Sequence, residues 1–154
     1  MANRYYISYG SNMLREHMKI RTPDAVIVGK SVLKGWQLIF RYGADIIENE
    51  GFETPVIIWK ISEQDEKNLD EYEDYPSFYI KRDMTLPVTS LDGKDLGELT
   101  AMVYIMPDEA VKEKSSNPVP PHYYYSVIEK AYEDFGFDKK ILKEALEEAK
   151  SLKN

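Results

Sequence analysis

Two stretches of this chain, and a set of tyrosines, have residue types and spacing that could do chemistry. Tyr9-Gly10-Ser11-Asn12 closes an aromatic, β-branched run. A strand ending in Gly-Ser-Asn presents successive backbone N–H groups at a strand edge. Gly10 permits unusual dihedrals and close approach of a ligand to the backbone, and Ser11 and Asn12 add side-chain donors and acceptors. If Met13 opens a helix, the same N–H groups sit at its positive end, a setting for a carboxylate or an oxyanion. A plain turn in which Asn12 caps a helix would use the same residues.

The second stretch is Leu69-Asp70-Glu71-Tyr72-Glu73-Asp74-Tyr75-Pro76. A helix running into it must end here, because Pro76 disfavours helical geometry just before it. Asp70, Glu71, Glu73 and Asp74 crowd the negative end of the helix dipole, where acids are disfavoured, and like charges raise one another's pKa. A carboxylate held against both effects suits acid/base work near neutral pH. Glu73 follows Leu69 by one helical turn and shares its inward face. A solvated acidic helix end would look the same in sequence. Tyr75, Tyr79, Tyr123, Tyr124 and Tyr125 flank prolines and can either line a pocket, with hydroxyls as polar handles, or simply pack.

Other chemistries find no support. There is no phosphate-binding glycine loop and no dinucleotide fingerprint. His17 and His122 show no metal-ligand spacing and sit in no triad motif. The chain has no cysteine, which removes disulfides, thiolate metal sites and a thiol nucleophile, and a reducing cytoplasm is the expected setting. A net charge of −7 argues against nucleic acid, which requires a basic footprint, and against anionic membrane surfaces. No apolar run approaches the ~18 residues of a membrane span, and the N-terminus lacks the apolar core of a signal peptide. A small molecule or a protein partner remains as ligand.

The elements that must position these residues fit in 154 residues, enough for one domain with a sizeable core. Strands are expected at residues 4–9, 25–41 (a pair, or one long bent strand with Gly29 and Gly35 as bends), 55–61, 78–88 and 99–106. Residues 42–53, rich in Gly, Asp, Asn and Glu, read as an exposed loop. A short helix is expected at 13–20. Another should run from an N-cap at Ser62 to about Tyr72, with Glu63 and Asp65 in its first turn. Leu91-Asp92-Gly93 reads as a turn and residues 115–121 as a proline-rich loop. The spacing of Tyr124, Val127, Ile128, Ala131, Tyr132 and Phe135 makes one apolar helical face. Gly136 follows as C′ residue, and Asp138 caps a last helix carrying Ile141, Leu142, Ala145, Leu146 and Ala149. The sum is an α+β domain, mostly antiparallel.

In order and spacing these blocks resemble the γ-glutamyl cyclotransferase-like family, which includes relatives of plant avirulence-induced proteins. The matching residues are Tyr9-Gly10-Ser11-Asn12-Met13, Arg21-Thr22-Pro23-Asp24-Ala25, Gly35 to Phe40, Val56 to Ile61, Leu69 to Glu73 with Tyr79, and Pro118 to Gly136. The resemblance spans residues 4 to 150. It implies a small mixed barrel with flanking helices and a cavity at the barrel end. It implies that Tyr9, Gly10, Ser11, Asn12 and Met13 hold the α-carboxylate and α-amine of a γ-glutamyl substrate. It also implies that Glu73 is the catalytic acid/base, that Tyr79 and Tyr124 or Tyr125 shape the pocket, and that no metal or other cofactor is needed. The expected products are 5-oxoproline and an amine. A non-catalytic domain that binds a γ-glutamyl ligand or small anion in the same cavity, and an interaction module using the acidic C-terminal helices, are the other readings. Two departures stand out: Asp74 where the family often has Gly, and Ala131-Tyr132 where it often has Gly-Ala.

Overall fold

The computed structural model describes residues 4–107 and 117–152. The strands are β1 (Arg4–Ser8), β2 (Val26–Arg41), β3 (Gly43–Ile61), β4 (Ile80–Thr89) and β5 (Asp95–Ile105). They close into a barrel in the order β1-β3-β2-β4-β5. β1 pairs parallel to β5 at Tyr6↔Met102, and every other pairing is antiparallel. The sheet is therefore mixed, as the resemblance implies. A 3-10 turn (Ser11–Met13) and α1 (Arg15–Arg21) follow β1, α2 (Glu63–Tyr72) follows β3, and α3 (His122–Phe135) and α4 (Lys139–Ser151) complete the chain. No helix among the described residues is long and apolar enough to cross a membrane.

The strand expected at 55–61 is the inner part of β3. Val56, Ile57 and Ile58 are wholly buried, so this wall is covered on both faces, which is why the run is apolar rather than alternating. β2 is one long strand, with register shifts between Ile27 and Gly29 and between Lys34 and Trp36. Gly35 takes φ 83 at the second of these, a left-handed conformation that suits glycine. Both bends let the strand follow the barrel's curvature.

Residues 43–53 are strand rather than loop, although 48–53 are exposed as expected. β3 begins at Gly43 and pairs back on β2, with Phe40↔Ala44 and Leu38↔Ile46 in register. Ala44 and Ile46 face the core. Cross-strand packing overrides the poor β-propensity of the intervening Gly, Asp and Asn. Buried Asp45 is paired with Arg41 Nε at 3.4 Å and accepts the Met106 backbone N–H at 3.0 Å. Of the expected loop at 115–121, Ser115 and Ser116 lie outside the described residues.

The start of α2 is locked by a reciprocal cap. Ser62 Oγ accepts the Asp65 N–H at 3.1 Å, and Asp65 Oδ2 accepts the Ser62 N–H at 3.1 Å. Such a box satisfies two donors at a helix end and is worth about 1 kcal/mol. Asp65 Oδ1 also accepts the Asp24 N–H at 3.3 Å. The buried carboxylate thereby ties α2 to the loop between α1 and β2, which fixes where the other end of α2 arrives.

Candidate active site

That other end ends in a Schellman turn. The Asp74 N–H donates to Glu71 O at 3.2 Å, and the Tyr75 N–H donates to Asp70 O at 2.9 Å. Asp74 takes φ 55, the left-handed position that this motif normally gives to Gly. The departure from the family pattern at this residue thus falls where backbone geometry prefers glycine and tolerates Asp. The turn separates the four carboxylates. Asp70 turns outward, accepting Tyr104 Oη at 2.6 Å and pairing with Lys81 Nζ at 2.8 Å. Glu71 and Asp74 are exposed, and half-buried Glu73 turns into a cavity of ≈ 260 Å³ at the barrel end.

Across this cavity lie Tyr9, Gly10, Ser11 and Asn12. Asn12 Nδ2 reaches Glu73 Oε1 at 3.4 Å and donates to Tyr6 Oη at 3.0 Å, while Asn12 Oδ1 accepts from Arg21 Nη1. Burial pushes the Glu73 carboxyl from 4.5 up to about 7, against the pull of the Arg21 guanidinium. Its proton is therefore exchangeable near neutrality, as an acid/base requires.

The hairpin tip joining β2 to β3 forms a third wall. Tyr79 Oη donates to Ala44 O at 2.8 Å, and the Ala44 N–H donates to Tyr124 Oη at 3.0 Å. Tyr9 Oη donates to Tyr104 O at 2.6 Å. Tyr9 and Tyr79 have thus committed their protons to backbone carbonyls. Among the described residues Tyr6 and Tyr124 only accept, from Asn12 and Ala44, which leaves each hydroxyl proton to the cavity that it lines. Burial holds both phenols above their usual range, so both stay protonated.

The residues singled out in sequence divide accordingly. Glu73, Tyr9, Gly10, Ser11, Asn12, Tyr79 and Tyr124 meet at the cavity. Met13 does not line it; its side chain is fully buried in the core. Tyr125 is also elsewhere, packed on Phe40 at 6.1 Å between ring centres. Tyr123 is exposed. Tyr132, the bulky departure in α3, is buried against Phe137 and does not touch the cavity. Nor does α1 aim its dipole at the loop, since it opens at Arg15, beyond an extended Leu14. Tyr6, Gly43, Ala44 and Tyr104 join the cavity without having been singled out. For Tyr6 a signal existed, because strand alternation puts it on the side of Ser8 and Gly10. For Gly43 and Ala44 none did.

The family model for gamma-glutamyl cyclotransferase, AIG2-like, matches residues 6–126. Gamma-glutamylcyclotransferase of Bos taurus is 30% identical over 136 residues, covering 80% of this chain and 66% of that protein. The Homo sapiens protein of that name is 28% identical over 131 residues, covering 77% and 64%. The chain thus spans about two thirds of the length of these curated relatives. A solved gamma-glutamyl cyclotransferase shares the fold at TM-score 0.70 and 22% identity, over 94% of this chain and 86% of its own. YkqA from Bacillus subtilis does so at 0.68 and 21%, over 98% and 55%. With the barrel, the cavity and the sequence match in agreement, the chain belongs to the gamma-glutamyl cyclotransferase, AIG2-like family.

Proposed function

We propose that this protein is a γ-glutamyl cyclotransferase that converts a γ-glutamyl amide to 5-oxoproline and a free amine, with Glu73 as general acid/base. One observation carries the reading: a carboxyl raised to about 7 faces the Gly10–Asn12 loop across a shared cavity. A cavity made only to bind an anion gains nothing from an inward carboxylate.

The substrate's α-ammonium gives one proton to Glu73, and the freed amine attacks the γ-carbonyl carbon. A C–N bond forms and closes a five-membered ring around a tetrahedral oxyanion. As the oxyanion collapses, the bond to the departing nitrogen breaks and the ring nitrogen sheds its second proton. The departing nitrogen takes up both protons, the first from Glu73, and leaves as an ammonium. The nucleophile is tethered, so the protein's task is chiefly to hold a near-attack geometry. The Gly10–Asn12 backbone supplies N–H donors for the substrate carboxylate or the oxyanion, and Tyr6 and Tyr124 offer hydroxyl protons nearby.

The test is incubation with a panel of γ-glutamyl amino acids, amines and isopeptides, followed by detection of 5-oxoproline. The acid limb of kcat/KM should fall near pH 7, with activity rising as pH climbs through it. Glu73→Gln should fold and lose about 10²–10⁴ in rate. Full turnover by that variant removes Glu73 from the chemistry. Tight binding of the panel with no 5-oxoproline would assign a ligand-binding domain instead.

A further inference from the structure

Arg21 ends α1 but is anchored to α2, the helix that delivers Glu73. Its guanidinium lies over the Tyr72 ring, 3.5 Å from the centroid, and its carbonyl accepts Asn68 Nδ2 at 3.0 Å. Its Nη1 donates to Asn12 Oδ1. Arg21 therefore bridges the two halves of the cavity from behind, without lining it.

We propose that Arg21 is a positioning residue that fixes the orientation of the Asn12 amide and so sets the hydrogen-bond polarity around Glu73. This rests on the reading of Glu73 as acid/base. A guanidinium carries donors only, whereas a primary amide presents an acceptor on one side and donors on the other. With Arg21 on one side, Asn12 must turn Oδ1 towards it, and Nδ2 then faces Tyr6 Oη at 3.0 Å and Glu73 Oε1 at 3.4 Å. The flipped amide would set donor against donor at Arg21 and oxygen against carboxylate at Glu73. The fixed orientation makes Tyr6 Oη an acceptor and leaves its own proton for the cavity. Lysine could supply the charge but not the flat fork that stacks on Tyr72 while donating to Asn12.

Arg21 is also the cation that offsets the burial of Glu73. The other groups facing Glu73 are the exposed Asp74 carboxylate on its own turn, the Tyr72 ring under Arg21 at the end of α2, and five further phenols, Tyr6 and Tyr9 by β1, Tyr79 before β4, Tyr104 on β5 and Tyr124 on α3. All five phenols are held above their usual range by burial and remain neutral. Arg21 is thus the cationic charge acting on the carboxyl among these groups.

The experiment compares wild type, Arg21→Lys and Arg21→Met. It reads the Glu73 carboxyl by ¹³C NMR titration, the Asn12 side-chain amide by ¹⁵N–¹H NMR, and 5-oxoproline formation against pH. In Arg21→Met the Glu73 titration and the acid limb of activity should both move up by about one pH unit, since a nearby opposite charge shifts a carboxyl by about 1–3. In the same variant kcat should fall roughly tenfold or more, a displaced group costing up to ~10²-fold. In Arg21→Lys the titration should stay close to wild type, while the Asn12 amide signals move and kcat still falls. A wild-type Glu73 titration in Arg21→Met, or unmoved Asn12 signals in both variants, overturns the assignment even if kcat drops. Should Arg21→Met fail to fold, Arg21→Lys and Tyr72→Leu carry the test. Absence of 5-oxoproline from wild type would remove the acid/base reading, and the two NMR readouts would still decide the role of Arg21.

Discussion

Glu73 holds a carboxyl where folding opposes a charge. Its value in the fold, about 7, lies above the ordinary 4.5. A carboxyl raised in this way prefers to be neutral in the folded state, so its ionisation costs no stability below about pH 4.5. The cost grows as pH rises to about 7 and is constant above that. Glu73→Gln should therefore raise stability at about pH 8 by roughly 1–2 kcal/mol, a figure discounted for partial exposure, and leave it unchanged at about pH 4. Calorimetric Tm values at the two pH values check this, and an equal gain at both would rule out burial as the cause. Gly10 acts through space. A Cβ there would stand 3.3 Å from Ala44 Cβ and 3.6 Å from Tyr124 Oη. Gly10→Val should weaken substrate binding about tenfold or more through this crowding, measured as KM. An unchanged KM would remove the loop from the binding site.

At the scale of elements, α2 connects a buried cap to the turn that carries Glu73. Both signals were legible in sequence: Ser62 ahead of acidic residues, and Pro76 as a stop. The Schellman turn that sends Glu73 inward, with Glu71 exposed and Asp74 exposed at the cavity's edge, was not, because Asp at the left-handed position hides what Gly would have announced. Asp74→Gly should stabilise the protein by about 0.5–1 kcal/mol by relieving the φ 55 backbone, checked by urea unfolding. A clear loss of stability would show that the Asp74 side chain contributes more than its backbone costs. The hairpin tip is the reverse case. Residues 42–53 have loop-like composition, and only pairing with Leu38 and Phe40 makes Ala44 and Ile46 part of a strand.

At the scale of the whole molecule, the cavity exists because the barrel closes. The seam between β2 and β4 is narrow, with one register pair, Lys30↔Thr89, and a hydrogen bond from Ser31 Oγ to Pro87 O. Gly29 makes this approach possible, since a Cβ there would lie 2.2 Å from Thr89 O, a backbone atom that cannot swing aside. Gly29→Ala should destabilise the protein by about 2–3 kcal/mol and reduce activity along with stability, read as a fall in Tm. A wild-type Tm would mean that the seam tolerates separation and does not govern the fold.

Sequence by itself determined the order and type of most elements and the helix caps at Ser62, Gly136 and Asp138, because period, punctuation and charge at helix ends are local properties. Glu73 and the Tyr9–Asn12 loop were each ambiguous alone and became informative through their joint resemblance to a family. Tertiary structure decided the rest. It alone showed that Met13 and Tyr125 point away from the cavity, that Gly43 and Ala44 close it, and which tyrosines have protons left to give. Those facts depend on which strands meet across a closed barrel and on which partner each hydroxyl finds, and the partners lie as far apart as Tyr9 and Tyr104.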